Sequence, residues 1–295
     1  MRKRLISGIL AGILAMSMAA CGGSGSSAKT TAAGASSAAE TTEAASKEAA
    51  SGASSEAASG DSDVAYIKGK GTMIVGITDF EPMDYKEQGS DEWIGFDADL
   101  ARKVAEDLGV EAQFVEIDWD NKILEMENKS VDVVWNGMTL TDEVTKSLSC
   151  TKPYLNNAQV VVVPSDVADK YQDKDSLKDL NFAVEVGSAG KEAAEENGLK
   201  TTEVSSQADA LMNVQAKTAD AAIIDLLMAG AMIGDGTSYP NLTHTVELST
   251  EEYGIGCRKG SDLTDFIDEE LDKFRKDGSL KELAEKYGVQ DALVD

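Results

Sequence analysis

Residues 131–147 read VDVVWNGMTLTDEVTKS, and the fold reading of the whole chain starts there. The run VDVVW has the length and β-branched content of a buried strand. It stops at Asn136–Gly137, polar groups follow at once, and a helix opens at Thr141 or Asp142, residue types that cap helix starts. A strand that runs into a turn and then a helix is the usual support of a small-ligand site in α/β proteins. The strand end and the helix N-terminus leave N–H groups free for an anion.

The same alternation extends in both directions. TMIVGI (72–77) reads as a buried strand, and DADLARKVAEDLG follows as a helix, with Leu100, Val104 and Leu108 on one face and Gly109 as its stop. QFVEI, a short helix around KILEMEN, then AQVVVV, FAVEV, AAII and YGIGC continue the pattern. QADALMNVQA is a helix between strands, and DLTDFIDEELDKFRKDG and SLKELAEKYG close the chain as amphipathic helices. Alternation of this kind predicts βαβ units, hence mostly parallel sheets flanked by helices. Trp135, Phe266, Phe274 and Tyr287 fall on apolar faces and are assigned to the core.

Composition narrows the function classes. The chain has 295 residues, a formal net charge of −26 and 42% hydrophobic residues, enough for a substantial core. Its acidity disfavours nucleic acid, whose phosphates it would repel. The single histidine, His244, leaves no basis for histidine catalysis or a multi-histidine metal centre, and no cofactor is expected. No Walker loop occurs and no GxGxxG follows a strand, so nucleotide binding has no sequence support.

The N-terminus carries an address. Arg2, Lys3 and Arg4 precede the apolar stretch LISGILAGILAMSM, too short to span a bilayer comfortably, which marks residues 1–20 as an export signal. SMAAC at 17–21 resembles a bacterial lipobox with Met18 where leucine is more usual. That resemblance implies lipidation of Cys21, two acyl chains giving a lasting anchor; a plain secretory signal cut nearby is the alternative. Residues 21–63 are almost wholly Gly, Ser, Ala, Thr and Glu. They read as a flexible tether with an r.m.s. reach of roughly 35 Å.

The ordered set GFDADLARKVAEDLG, VDVVWNGMTLTDEV, TKPYLNNAQVVVV, FAVEVGSAG, ADAAIID and YGIGCRKGSDL resembles the bacterial extracellular solute-binding proteins of family 3, receptors of ABC importers for polar amino acids. The likeness covers roughly residues 66–290. It implies a type II periplasmic-binding-protein-like fold, two α/β lobes with two hinge crossings and ligand in the cleft between. Lobe 1 would comprise 64–155 and 251–295, and lobe 2 156–250. The crossings would fall near Leu155–Ala158 and Ser249–Glu252. The implied partners are a small-molecule amino acid or related amine, a permease and an ATPase. The chain is expected to be a monomer on the outer face of a cell membrane, a Gram-positive one by the lipobox and tether.

The resemblance also assigns site residues. Gly137 would offer a carbonyl to the ligand's ammonium, and Thr139 its hydroxyl and N–H to the carboxylate. The family's carboxylate-gripping arginine is absent: Val144 stands at that position. Lys146, two residues on, faces a different side of the helix and reads as a solvated lysine. In GSAGK (187–191), Ser188 and the following N–H groups open a helix that suits an anion. Lys191 fits either that anion or solvent. Asp225 matches the carboxylate that pairs the α-ammonium, with capping of the next helix as the other role open to it. Phe80 and Trp119 match pocket walls, and core packing fits each as well. Asp79 and Glu81 compete for one acidic position. Glu185 falls where relatives often read the ligand side chain. Together Asp79, Glu185 and Asp225, without the arginine, imply an acidic cleft selecting a cationic or strongly dipolar amino acid or amine. Cys150 and Cys257 are expected as free thiols, although export permits a disulfide. The competing class is an enzyme on the same fold, such as a dehydratase; a sensor is a third.

Overall fold

The computed structural model describes residues 62–294. The export signal, Cys21 and all but the last two residues of the tether lie outside the described residues.

The strands are β1 (Thr72–Ile77), β2 (Tyr85–Lys86), β3 (Trp93–Ile94), β4 (Glu111–Glu116), β5 (Val133–Thr139), β6 (Ser149–Cys150), β7 (Leu155–Pro164), β8 (Asn181–Glu185), β9 (Lys200–Val204), β10 (Ala221–Asp225) and β11 (Leu242–Cys257). Between and around them lie α1 (Asp63–Lys70), α2 (Phe96–Leu108), α3 (Lys122–Glu127), α4 (Asp142–Ser147), α5 (Ala189–Glu196), α6 (Gln207–Gln215), α7 (Leu226–Met232), α8 (Leu263–Asp277) and α9 (Ser279–Tyr287). Local chemistry explains the boundaries. Ser62, Thr141, Ser188 and Ser206 each accept an N–H at the start of α1, α4, α5 and α6. Gly109 ends α2 in the left-handed region at φ 80°.

One sheet runs in the order β4-β1-β5-β11-β7-β10-β8-β9, with β6 on β11. Pairing is parallel in both flanks, β1 with β4 and β5 on one side and β8 with β9 and β10 on the other. The middle is antiparallel, a departure from the mostly parallel expectation. The causes are β11, whose first part lies along β7 while its end lies along β5 and β6, and β7, which also runs antiparallel to β10. Only its last residues, YGIGC, were legible as a strand. Polar residues dominate from Thr243 to Glu252, and there the partner strand rather than apolar periodicity sets the conformation.

The VVVV run of β7 is buried on both faces. Val160 and Val162 join the larger core with Val133, Trp135 and Leu155, while Val161 and Val163 pack with Leu177, Phe182 and Ile223. A continuous apolar run is the signature of that double burial. A third cluster gathers Trp119, Met126, Val131, Val134, Met138, Val144 and Leu148. Trp135 and Phe274 are buried, and Phe266 and Tyr287 pack against the larger core, as the sequence implied. Arg258 donates to the Asp63 carboxylate and to the Val131 carbonyl, tying α1 to the sheet. Cys150 and Cys257 are free thiols, Cys150 half-buried and Cys257 buried; burial pushes the Cys257 thiol up to about 12. His244 is an exposed strand residue.

Candidate functional site

The C-terminal ends of β1, β5, β8 and β10 and the N-terminal ends of α3, α5 and α6 converge on one cavity, with Thr141, the cap of α4, on its wall. Phe80, Trp119, Gly137, Thr139, Glu185, Ser188 and Asp225 all line it. Asp79 does not: it is exposed, and Glu81 is also off the wall. The cavity is nearly shut, with about 20 Å³ open to the centre of a water molecule. That is room for little more than an ordered water, so a larger solute enters only when the walls part.

The end of β5 around Gly137 is built from behind, and the strand runs through Asn136 and Gly137 to Thr139 rather than stopping there as the sequence suggested. Asn136 accepts from the Thr78 hydroxyl at 2.6 Å and donates to the Asp84 carboxyl at 2.8 Å. The Gly137 N–H donates to Asp97 at 2.6 Å, and the Tyr154 hydroxyl donates to the same carboxyl at 2.8 Å. Burial pushes Asp97 up to about 6 and Asp84 well above the usual carboxylate range, the latter also by the nearby Asp97. Gly137 is required: at φ 53° a Cβ would lie 2.6 Å from the Phe80 ring and 2.9 Å from that of Tyr253.

At the sheet centre, Asn157 and Gln159 of β7 donate to both Asp225 and Glu251. Thr139 also donates to Glu251, at 2.9 Å, and Gln207 donates to Asp225. Asp225 precedes α7 but its side chain makes no capping bond, so of its two sequence-level roles the capping one is not used. Burial raises its pKa well above normal, and the neighbouring Glu251 raises it further. Register explains the proximity: Glu251 pairs with Asn157 across β7 and β11, within the segments expected to be the two crossings.

The second wall is the turn into α5. The Ser188 hydroxyl donates to the Glu185 carbonyl at 2.7 Å and accepts from the Lys191 N–H at 3.2 Å, so it is occupied as a cap. Lys191 pairs with Glu203 at 3.0 Å outside the cavity, and Lys146 pairs with Asp142 on the surface. Glu185 is 3% exposed, and its Oε1 has no hydrogen-bond partner among the described residues. Burial drives its carboxyl up to about 8 against the opposing pull of Lys122.

Lys122 is the residue that sequence reading missed. It is 6% exposed and lines the cavity, its ammonium donating to the Gly187 carbonyl at 2.8 Å and to the Trp119 carbonyl at 3.3 Å. It sits 5.0 Å from the Trp119 ring centroid. Burial lowers its pKa, and Glu143, Glu185, Asp120 and Glu192 oppose that. The cleft thus holds a cation although Val144 is buried in the apolar cluster around Trp119. The available signal was the WDNK spacing: three residues on a helical turn place Lys122 beside Trp119. Gln207, Asn157, Gln159 and Glu251 were also missed. Asn157 and Glu251 stand out as polar side chains in strands within the expected crossings, and Gln159 lies one residue past the first. Among the described residues, no group of three or more His, Cys, Asp or Glu side chains is arranged to hold a metal.

An α/β fold with a closed cavity walled by the strand ends of two sheet flanks defines a two-lobed solute-binding protein. The profile of bacterial extracellular solute-binding proteins, family 3, matches residues 73–290, and the chain belongs to that family. The arginine-binding extracellular protein ArtP of Bacillus subtilis is 30% identical over 237 residues, 78% of this chain and 91% of the relative. The L-cystine-binding protein TcyJ of Escherichia coli is 27% identical over 75% of this chain and 84% of the relative. Among solved structures, the ancestral amino acid-binding protein AncCDT-1, a precursor of cyclohexadienyl dehydratase, is 31% identical with a TM-score of 0.70. That match covers 77% of this chain and 99% of AncCDT-1.

Proposed function

We propose that the chain is the extracellular receptor of an ABC importer, capturing a cationic or strongly dipolar amino acid in the cavity and handing it to a permease. The observation that carries this reading is Glu185: a carboxyl buried at the cavity wall with an oxygen lacking any partner among the described residues. Such a group is costly unless a ligand supplies the missing hydrogen bond or charge. Asp225 and Glu251 form a second acidic centre one strand away. The matched relatives bind arginine and cystine, two amino acids with polar extensions beyond the α-carbon. The reading divides the body into lobes at 64–155 with 251–295 and at 156–250, hinged where Asn157 and Glu251 pair. Closure is then stabilised as far as ligand touches both lobes. Anchoring through lipidated Cys21 on a Gram-positive cell surface, a monomeric state and a separate ATPase complete the proposal.

The test is a thermal-shift screen with single amino acids, ornithine and polyamines. Ligand at 100 times its dissociation constant adds about 2.7 kcal/mol, roughly 5–10 °C for a body of this size. Stabilisation by arginine, lysine or ornithine and none by glutamate is expected; tight glutamate binding with no response to the cations refutes the ligand class. A second reading, a dehydratase, draws on the same Glu185, which at about 8 holds its proton at neutral pH as a general acid must. It predicts loss of water from a bound hydroxy acid, detected by mass spectrometry; an unaltered solute supports the receptor.

A further inference from the structure

The amino-acid reading leaves the solute's carboxylate without an evident grip, because Val144 brings only methyl groups to the start of α4. We propose that Lys122 is the carboxylate-binding cation of the cleft, acting from the start of α3 together with the first N–H groups of α5. This inference rests on the reading of the chain as an amino-acid receptor.

Three observations carry it. An ammonium has three donors, and two are accounted for by the Trp119 and Gly187 carbonyls, leaving the third at the cavity wall. The Gly187 carbonyl places that ammonium at the turn into α5. There the Ala189 and Gly190 N–H groups have no intrahelical acceptor, and Ala189 itself lines the cavity. An anion between them would meet a full positive charge and the positive end of a helix at once. The third observation is charge balance. Lys122 is the only basic side chain on the wall among the described residues, whereas Glu143, Glu185, Glu192 and Asp225 are acidic. One ammonium offsets one carboxylate and no more, so the site takes a single carboxylate joined to cationic or donor groups and rejects a multiply charged anion. The aromatic Trp119 ring beneath the ammonium and the apolar cluster behind it hold Lys122 away from solvent, where a charged pair is worth more.

Lys122 also bridges two walls of the cleft, since the Gly187 turn packs against Asp120 as well. A purely structural latch would stabilise closure whatever the solute's terminus. The experiment separates the two by changing that terminus. The natural L-amino acids and their carboxamides are titrated calorimetrically into the full-length protein, Lys122→Gln and Lys122→Arg. The wild type is expected to favour the best-binding acid over its carboxamide by about 30-fold or more, the range for removing one partner of a desolvated charge pair. Lys122→Gln erases that preference by weakening the acid and leaving the carboxamide within about threefold, while Lys122→Arg retains a preference of the same sign. Equal weakening of acid and carboxamide, or no weakening, overturns the role of Lys122 and leaves the receptor reading intact. No binding of any amino acid by the wild type overturns both. If Lys122→Gln does not fold, Lys122→Arg decides: a lost acid preference refutes the proposal and a retained one supports it.

Discussion

Replacing Glu185 by glutamine tests the electrostatics of the cleft independently of any ligand. Burial lifts this carboxyl from an ordinary 4.5 to about 8. Between those values the folded protein holds a proton that the unfolded chain has released, so the folded state binds more protons and stability must fall as pH rises. The stabilising contribution is whole below about 4.5, declines through the window, and is gone once pH passes the folded value near 8. At about 1.4 kcal/mol per unit, the loss between about pH 5 and about pH 8 is roughly 4 kcal/mol. Glutamine cannot titrate, so Glu185→Gln removes that slope. Urea unfolding of both proteins across this range, without solute, gives the difference directly. Asp97, Asp84 and Asp225 titrate in both proteins and cancel in the subtraction. The wild type is expected to lose about 4 kcal/mol relative to the variant across the window. Parallel stability curves would refute the claim that Glu185 is a desolvated acid. The same ionisation governs capture: a cationic side chain requires the charged carboxylate, so its affinity climbs up to tenfold per pH unit until about 8. In Glu185→Gln that climb is absent.

Further substitutions probe the frame around the cavity. Asp97→Ala leaves the Gly137 N–H and the Tyr154 hydroxyl without their acceptor. A loss of about 2–5 kcal/mol in urea unfolding is expected, from two buried donors left unsatisfied. Gly137→Ala puts a Cβ 2.6 Å from the Phe80 ring in a left-handed backbone position; a loss of about 2–4 kcal/mol is expected by the same assay. Gly187→Ala drives a Cβ to 2.7 Å from the Asp120 carboxylate across the cleft. Its expected signature is an affinity loss of about tenfold or more by calorimetry, since strain of about 1.4 kcal/mol on the closed form suffices. Val144→Arg, which puts an arginine where the resemblance expects one, overpacks the cluster around Trp119 and Leu148; thermal unfolding should show a cost of about 1–3 kcal/mol.

Local chemistry in the chain already determined much of this molecule. The apolar runs at 72–77, 158–163 and 221–224 are strands because their residues bury on both faces, the run at 131–135 supplies the start of β5 from Val133 onward, and Gly109 and Thr141 mark helix ends through backbone freedom and side-chain capping. Resemblance placed Phe80, Trp119, Gly137, Thr139, Glu185, Ser188 and Asp225 together, and the fold brings all seven to one cavity. What lay beyond the sequence depends on pairing between distant segments. The antiparallel centre of the sheet arises because β11 meets β7 and then β5 while β7 meets β10, a choice made by register rather than by the polar residues of β11. Asp79 was expected at the wall and is exposed, because the course of the loop after β1, which no strand or helix periodicity sets, decides which way its side chains face. Val144 suggested a cleft stripped of its cation. Lys122 supplies one from another helix, since charge balance in a buried site is satisfied by whichever chain segment reaches it, and only tertiary packing decides which segment that is.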